Sequence, residues 1–309
     1  MKPTNYLIGL LFFSSLSFFS AKAQNQSGVD STGLPGDNFS LQGALEMFKK
    51  ASSPEEFEKL LNSKDNHVNN LDLNADGKID YIRVIDNSKN NAHAFVLRDV
   101  VSKTESQDIA VIELEKTSDT SATLQIVGDE DIYGENVISE PAGQDQSTSN
   151  NKETNDYAAH GPNAEYHENT PGIIVNVWFW PCVRFVYVPS YVAWVSPWGW
   201  YHYPRWWFPW TPFAWYAWHP FHYGYMAHFA IVPVHRVLFA HSIYTPLRVT
   251  SVSVRTRNEV VVRNYRVSHT RTTITGPRGN RTVRTTTRVT GPGGRTRVRS
   301  TNVRTRRHR

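Results

Sequence analysis

The chain lacks the features that most often identify an enzyme or a disulfide-stabilised domain. Its 309 residues include one cysteine, Cys182, which excludes an intramolecular disulfide framework. A Walker loop, a Rossmann fingerprint, HExxH and GxSxG are all missing from the sequence. The sequence therefore names no reaction, and its information lies in how residue types are distributed along the chain.

Charge of one sign also dominates in long parts of the chain. Residues 24–170 contain 27 acidic and 11 basic side chains, whereas residues 235–309 contain 18 arginines, no lysine and a single acid, Glu259. All 10 tryptophans lie between Trp178 and Trp218. A single evenly composed domain would not sort its residues in this way, so we predict a chain of several segments.

The N-terminus has the pattern of an export signal. Lys2 gives a short positive segment, residues 6–20 are apolar and serine-rich, and Ala21-Lys22-Ala23 fits a cleavage site. The apolar run is shorter than the ~20 residues that a membrane-spanning helix needs. We therefore predict that residues 1–23 are a cleaved signal peptide. The mature protein is then expected in the periplasm, on the outer membrane surface or outside the cell.

Residues 38–141 are predicted to form an acidic α+β domain, after a flexible leader over 24–37. Ser40 is placed to cap a first helix, and Ser53 begins a second with a capping box. Short polar connections between the runs that follow favour an antiparallel meander, with the helix pair on one face of the sheet. The strand-like runs are 68–73, 78–86, 93–101, 108–115 and 122–127, with 136–140 as a last edge strand.

The connection between the first two predicted strands carries the sharpest motif. Asp72, Asn74, Asp76 and Asp80 stand at positions 1, 3, 5 and 9 of a loop that has Gly77 at position 6. Calcium takes about six to eight oxygen ligands, and glycine permits the tight turn. The spacing resembles the Asp-x-Asn-x-Asp-Gly calcium loop of EF-hands, dockerin modules and FG-GAP repeats, without the bidentate glutamate of an EF-hand. The resemblance implies a calcium site; the alternative is a bare Asx-rich turn.

Two other acidic groups carry weaker hypotheses. Glu113 and Glu115 share a face of a predicted strand, as paired carboxylates of a glycoside hydrolase would. Such an enzyme holds two carboxyl groups ~5–9.5 Å apart across a cleft, and nothing in the sequence supplies the cleft. Asp129, Glu130 and Asp131 are expected to form a solvated turn.

Residues 142–170 are polar and are predicted to be a disordered linker. Residues 171–247 form an aromatic and proline-rich region, expected to be irregular with two short strands over 173–180 and 183–188. Cys182 is expected to be a small buried hydrophobe, with an intermolecular disulfide as the alternative.

Three hypotheses remain open for the aromatic region: a compact irregular module, an exposed adhesive surface, or a low-complexity segment. Exposed rings stack on sugars or bases and suit membrane interfaces. The candidate residues of an adhesive surface are Trp198, Trp200, Trp206, Trp207 and Trp210.

Histidines are concentrated in and just after this region. Imidazole is a good ligand for zinc or copper. No acid or cysteine pairs with these histidines at a recognisable spacing, so solvated or stacking side chains are the expectation and a periplasmic metal binder is the alternative. The six residues are His202, His219, His222, His228, His235 and His241.

Residues 248–309 are a basic tail of arginine, threonine and valine. Two Thr-Gly-Pro copies flank an alternating segment, so the tail forms either hairpins or an extended arm, and we expect it to be largely disordered. Arginine binds phosphate, sulfate and carboxylate groups through a planar fork. The candidate polyanion-binding residues are Arg281, Arg284, Arg288, Arg295, Arg297 and Arg299.

The tail suggests an anionic surface, a glycan or a membrane interface as partner. Self-association through the acidic domain and the basic tail is a further expectation. The signal peptide argues against chromosomal nucleic acid.

Several stretches carry a resemblance that spans much of the mature chain. They are residues 68–74 with 76–84, residues 125–130 with Tyr133-Gly134, and Ser196-Pro197-Trp198-Gly199-Trp200. In these the chain resembles a group of uncharacterised exported proteins of Bacteroidota-type bacteria. The resemblance implies export and this architecture, and it implies no chemistry.

We therefore predict a non-enzymatic exported protein of the cell envelope or surface, with calcium as the candidate ligand of its acidic domain. The aromatic region and the arginine tail are expected to attach it to membrane, glycan or another polyanion. The alternatives are a carbohydrate-active enzyme or inhibitor domain with an attached binding region, and a metal binder that uses the histidines.

Overall fold

A computed structural model describes residues 31–143 and 174–265, and the backbone of three strands within 267–305. The predicted signal peptide and residues 144–170 of the predicted linker lie outside the described residues. The helices are α1 (Leu41–Lys50), α2 (Pro54–Leu61), α3 (Glu130–Tyr133), α4 (Pro181–Val186), α5 (Trp215–Trp218), α6 (His222–Met226), α7 (Leu238–Tyr244) and α8 (Val252–Asn264). The strands are β1 (Ile82–Lys89), β2 (Ala92–Asp99), β3 (Gln107–Ser118), β4 (Ser121–Gly128), β5 (Val137–Pro141), β6 (Phe229–Val232), β7 (Val267–Thr275), β8 (Arg281–Thr290) and β9 (Thr296–Thr305).

The predicted α+β class is confirmed. Strands β1 to β6 form one antiparallel sheet in chain order; β1 to β5 are the meander that the short connections predicted, and β6 comes from the aromatic region. Helices α1 and α2 begin at their predicted caps. The Ser40 hydroxyl accepts a hydrogen bond from the Gly43 amide, and the Ser53 hydroxyl accepts one from Glu56.

Alternate residues of the central strands enter two different cores. Phe95 and Ile112 pack with the helix pair and α4, whereas Ala94 and Val111 pack with Tyr244 of α7 on the opposite side. The sheet is therefore covered on both faces, which explains why its strands are apolar on both sides. The second cover comes from a part of the chain that the sequence analysis placed outside this domain.

The domain boundary predicted near residue 141 is wrong. Strand β5 pairs with β6 of the aromatic region, with Ile138 opposite Val232. At the other edge of the sheet, the Asp86 amide donates to the Trp194 carbonyl at 2.7 Å, and the Ser196 amide donates to Val84 at 3.0 Å. The aromatic region therefore adds one strand beyond β5 and bridges part of the β1 edge, which shortens the unpaired edges of the sheet.

The two short strands predicted within 173–188 are replaced by helix α4. Pro181 occupies the first helical position, where its missing amide hydrogen is not needed. Cys182, Val183 and Val186 are buried at helical spacing, while Arg184 is exposed. The β-branched and aromatic composition suggested strands, but burial follows the helical period. Cys182 is a free, buried side chain, as predicted, and burial raises the pKa of its thiol.

The first predicted strand, 68–73, is also wrong. This segment makes only an isolated bridge between Asn69 and Phe39. Its buried amides take the place of a strand ladder: Asn69 Nδ2 donates to the Asp80 carbonyl at 2.8 Å, and Asn70 Oδ1 accepts from the Phe213 amide at 2.8 Å. Side-chain amides can satisfy buried backbone groups without regular pairing.

The described part of the predicted leader is ordered. Leu34 is buried, and the buried Asp37 carboxylate accepts hydrogen bonds from the hydroxyls of Ser31 (2.6 Å) and Thr32 (2.7 Å). The Trp218 indole donates to the Asp37 carbonyl at 3.0 Å. The folded unit therefore begins at or before residue 31 rather than at 38.

The start of the basic tail also belongs to the folded unit. Arg248 binds Asp129 through two hydrogen bonds of 2.6 and 3.0 Å, and it also contacts Glu130 and Asp131. The acidic segment 129–131 is therefore not the solvated turn that was predicted, because the Asp129 side chain is only 1% exposed. The fold extends through α8, whose Val254 is buried.

Beyond α8 the backbone forms a second antiparallel sheet, β7-β8-β9. These strands correct the expectation of a largely disordered tail and follow its hairpin alternative rather than the extended arm. Among the helices of the described residues, none has the length and apolar character needed to cross a bilayer.

Candidate functional site

The sheet brings together a carboxylate and two histidines that are far apart in sequence. Glu113, in the middle of β3, is fully buried, and its two oxygens contact different imidazoles. His235 Nε2 contacts Oε2, and His241 Nδ1 lies 2.7 Å from Oε1. The candidate ligand atoms of the three residues all lie within 4.8 Å of one another. We call these three residues the Glu113 cluster.

Neighbouring polar side chains hold both histidines in place. Gln125, opposite Glu113 on β4, accepts hydrogen bonds from the amides of Arg236 (2.7 Å) and Val237 (3.3 Å), and it donates to the Val234 carbonyl at 3.0 Å. The backbone on either side of His235 is therefore fixed to the sheet. These contacts position the ring without using either of its nitrogens.

Glu115 performs the same task for His241. Its Oε1 accepts hydrogen bonds from the amides of Phe239 (2.7 Å) and Ala240 (3.0 Å), in the first turn of α7. A carboxylate suits a helix N-terminus because the first amides of a helix have no partner within it. His241 follows in the same helix, so its ring is directed onto Glu113.

The Glu113 cluster is buried where it meets the sheet and is partly exposed to solvent on the side of its histidines. Glu113 is 0% exposed, whereas the His235 and His241 side chains are 21% and 35% exposed. The hydrogen bond to Glu113 raises the pKa of His241, and burial opposes this increase. A buried carboxylate needs a positive partner, which a protonated histidine or a metal cation supplies.

The four predicted calcium ligands also come together, in one turn before β1. Asp72 accepts hydrogen bonds from the amides of Asp76 (3.0 Å) and Gly77 (2.9 Å). Asn74 Nδ2 donates to Asp80 Oδ1 at 2.9 Å. Gly77 has φ 81°, a left-handed conformation that glycine adopts readily. The turn is closed by hydrogen bonds among its own polar groups. Such bonds are expected both for a calcium loop and for a bare Asx-rich turn.

A fourth carboxyl group, which the sequence analysis missed, lies beside Asp80 at this turn. Asp99 ends β2, is 1% exposed and interacts with the carboxyl group of Asp80. Burial, followed by the nearby charge of Asp80, holds the pKa of Asp99 well above its usual range. Burial likewise raises the pKa of Asp80, and the charge of Asp72 adds to the increase. Asp80 and Asp99 are therefore a buried carboxyl pair whose charged forms are disfavoured, whereas Asp76 of the same turn is exposed.

The predicted aromatic surface is divided between core and solvent. Trp206 is 44% exposed, but Trp207 is buried against Tyr81, so Trp207 is removed from the candidate surface. Trp198, Trp200 and Trp210 are half-buried. The most exposed rings are ones that the sequence did not single out, namely Phe179, Tyr201, Phe208 and Tyr216.

The tail strands place the predicted arginines on both faces of the second sheet. By strand alternation, Arg284 and Arg288 share one face. Register pairs Arg297 with Val289 and Arg299 with Thr287, so these two lie on the other face with Arg281. Arg295 lies outside the described residues.

Comparison with protein-family models, with curated proteins and with solved structures finds no match.

Sequence reasoning missed the Glu113 cluster because its parts are 122 and 128 residues apart. The only local signal was the placement of Glu113 and Glu115 on one strand face, with Gln125 as the cross-strand neighbour. Polar residues on a strand that is otherwise apolar on both faces indicate that a polar segment packs there. They do not indicate which segment that is.

Proposed function

We propose that this is an exported, non-catalytic binding protein of the cell envelope or surface, and that its basic tail binds polyanions. The observation that carries the proposal is the second sheet, which has arginine on both faces. No acidic residue follows Glu259 in the chain, so no carboxylate of the tail itself competes for these arginines. Polymers with phosphate, sulfate or carboxylate groups fit this chemistry.

The folded unit supports a binding role rather than glycoside hydrolysis. Glu113 and Glu115 are the pair that such an enzyme would use, and both are engaged within the chain. Glu113 contacts two histidines, and Glu115 binds backbone amides of α7. The exposed rings of Tyr201, Phe208 and Tyr216 offer further contact area to a glycan or a membrane interface.

Binding of the full chain to heparin, to phosphatidylglycerol vesicles and to duplex DNA, measured over a series of salt concentrations, tests the proposal. We expect the affinity for at least one probe to fall linearly with salt on logarithmic axes. The double variant Arg284→Gln, Arg288→Gln should reduce the slope by about 2, because each phosphate-type contact contributes about 1.

A matched double variant on α8, Arg255→Gln with Arg263→Gln, removes the same charge from exposed positions and should leave the slope nearly unchanged. Affinity that does not depend on salt would contradict the proposal. An equal effect of the two double variants would contradict a specific role of the tail arginines, because it would show that net charge alone causes the binding.

We also propose that calcium binds the turn formed by Asp72, Asn74, Asp76 and Asp80. The observation in favour is Asp99, a buried carboxyl group beside that of Asp80, where burial disfavours the charge of both. A hard cation with oxygen ligands would compensate these charges. Loops of this kind outside the cell bind calcium with Kd values of about 10⁻⁴ to 10⁻³ M.

Thermal unfolding with EDTA or with calcium checks this second proposal. At a calcium concentration 100 times the Kd, the folded state should gain about 2.7 kcal/mol. Asp76→Ala should lose most of this gain. Asp99→Asn should raise the melting temperature in EDTA, because an amide replaces a buried acid whose ionisation beside Asp80 is unfavourable, and should weaken the response to calcium.

Asp119→Ala, at a fully exposed acid elsewhere, is the matched control and should respond to calcium as the parent chain does. A parent chain whose melting temperature is the same in EDTA and calcium would contradict the proposal. So would an undiminished calcium response of Asp76→Ala.

A further inference from the structure

The Glu113 cluster has the composition of a transition-metal site. Two imidazole nitrogens and one carboxylate are ligands that Zn²⁺ accepts, and three protein ligands with one open position are typical of sites that also hold water or another small ligand. Calcium prefers oxygen ligands in larger number, so this cluster and the Asp72 turn differ in their metal preference.

The distances in the cluster are close to what a tetrahedral ion requires. With Zn–N and Zn–O bonds of about 2.0 to 2.1 Å, adjacent ligand atoms lie about 3.3 Å apart. The His241 Nδ1 to Glu113 Oε1 distance is 2.7 Å, and His235 Nε2 is also in contact with Glu113. To admit the ion, the His241–Glu113 contact has to lengthen by about 0.6 Å, and no pair of ligand atoms starts more than 4.8 Å apart.

The surroundings of the cluster support the inference. Gln125 fixes the backbone on both sides of His235, and Glu115 fixes the two residues before His241, so the ligand atoms are held together before a metal arrives. Gln125 is itself held by Glu140, which accepts its Nε2–H at 2.7 Å and also contacts Arg236 at 3.2 Å. Supporting contacts of this kind commonly change metal affinity by about 10- to 100-fold.

We propose that Glu113, His235 and His241 bind one Zn²⁺ ion. The ion replaces the direct contacts between Glu113 and the two imidazoles, and its remaining position faces solvent on the side where the histidines are 21% and 35% exposed. Bound zinc would link β3 to the segment that carries α7. It would thereby attach α7 to the face of the β1–β6 sheet that α7 covers. The proposal does not depend on polyanion or calcium binding.

Titration of the full, EDTA-treated and dialysed chain with zinc tests it by calorimetry, in excess calcium so that oxygen-only sites are occupied. We expect one strong zinc site per chain. Cobalt should bind at the same place and show the intense visible absorption of four-coordinate Co²⁺, which the hydrated ion lacks. Glu113→Gln, His235→Gln and His241→Gln should each weaken zinc binding by more than about 100-fold.

His202→Gln removes an exposed histidine outside the cluster and serves as the matched control, with zinc affinity unchanged. The cobalt spectrum is measured on the parent chain, so this test does not depend on whether the cluster variants fold. A spectrum identical to that of hydrated cobalt would overturn the proposal. Zinc affinity that is equal in the parent and all three cluster variants would overturn it as well.

Discussion

Replacing Glu58 by alanine is expected to lower the free energy of unfolding by about 2 to 5 kcal/mol. Glu58 lies on α2 and is 1% exposed. It accepts hydrogen bonds from the Val84 amide (2.9 Å), the Trp194 indole (3.1 Å) and the hydroxyls of Tyr81 and Ser196 (2.8 Å each). Alanine leaves these donors buried without an acceptor, at a cost of about 1 to 3 kcal/mol for each N–H.

Denaturant unfolding of Glu58→Ala and of the parent chain measures this loss. The matched control is Glu55→Ala, at an exposed residue of α2 three positions before Glu58. It should change the free energy of unfolding by less than about 0.5 kcal/mol. Because two of the four donors belong to residues 194–196, the result also reports whether the aromatic region is part of the cooperative unit. A change in Glu58→Ala as small as that in Glu55→Ala would contradict this arrangement.

Arg248→Ala is expected to destabilise the folded unit by about 2 to 4 kcal/mol. Removing one partner of a buried ion pair costs about 3 to 5 kcal/mol, and the value is reduced here because the Arg248 side chain is 30% exposed. Its partner Asp129 is 1% exposed and would remain buried without a counter-charge. Two hydrogen bonds to Asp129 and one to Asp131 are lost at the same time.

The comparison variant is Arg255→Ala, which also removes a contact to Asp131 but lies at a site that is 60% exposed. Surface pairs of this kind contribute about 0 to 1 kcal/mol. Thermal and denaturant unfolding should therefore separate the two variants clearly. Equal stability of Arg248→Ala and Arg255→Ala would contradict the described packing of residues 248–265 against the acidic segment 129–131.

Local patterns predicted the local structure well. Ser40 and Ser53 cap the two helices because each supplies an oxygen to an amide a few residues further on, and such contacts depend only on nearby sequence. Four of the predicted strand runs overlap β1 to β4, since alternation and short polar turns are also local signals. The errors at 68–73 and 173–188 arose where side-chain amides or helical burial outweighed the strand-like composition.

The candidate sites divide in the same way. The Asp72 turn was found because its oxygens lie within nine residues of one another. Asp99 was not found, because it reaches the turn only through the pairing of β1 with β2, where Asp99 lies opposite Ile82. The Glu113 cluster was not found because its histidines arrive from a segment more than 100 residues away.

The sequence by itself determined the α+β class, the helix starts, the meander and the separation of acidic, aromatic and basic residues, because these follow from neighbouring residues and composition. Only the tertiary structure decided that the aromatic region adds a strand beyond β5 and bridges β1, and that residues 234–249 cover the second face of this sheet. Those contacts depend on which apolar and polar surfaces are complementary in three dimensions. The sequence can predict that a strand edge or a buried carboxylate needs a partner. Only the folded structure shows which residues provide it.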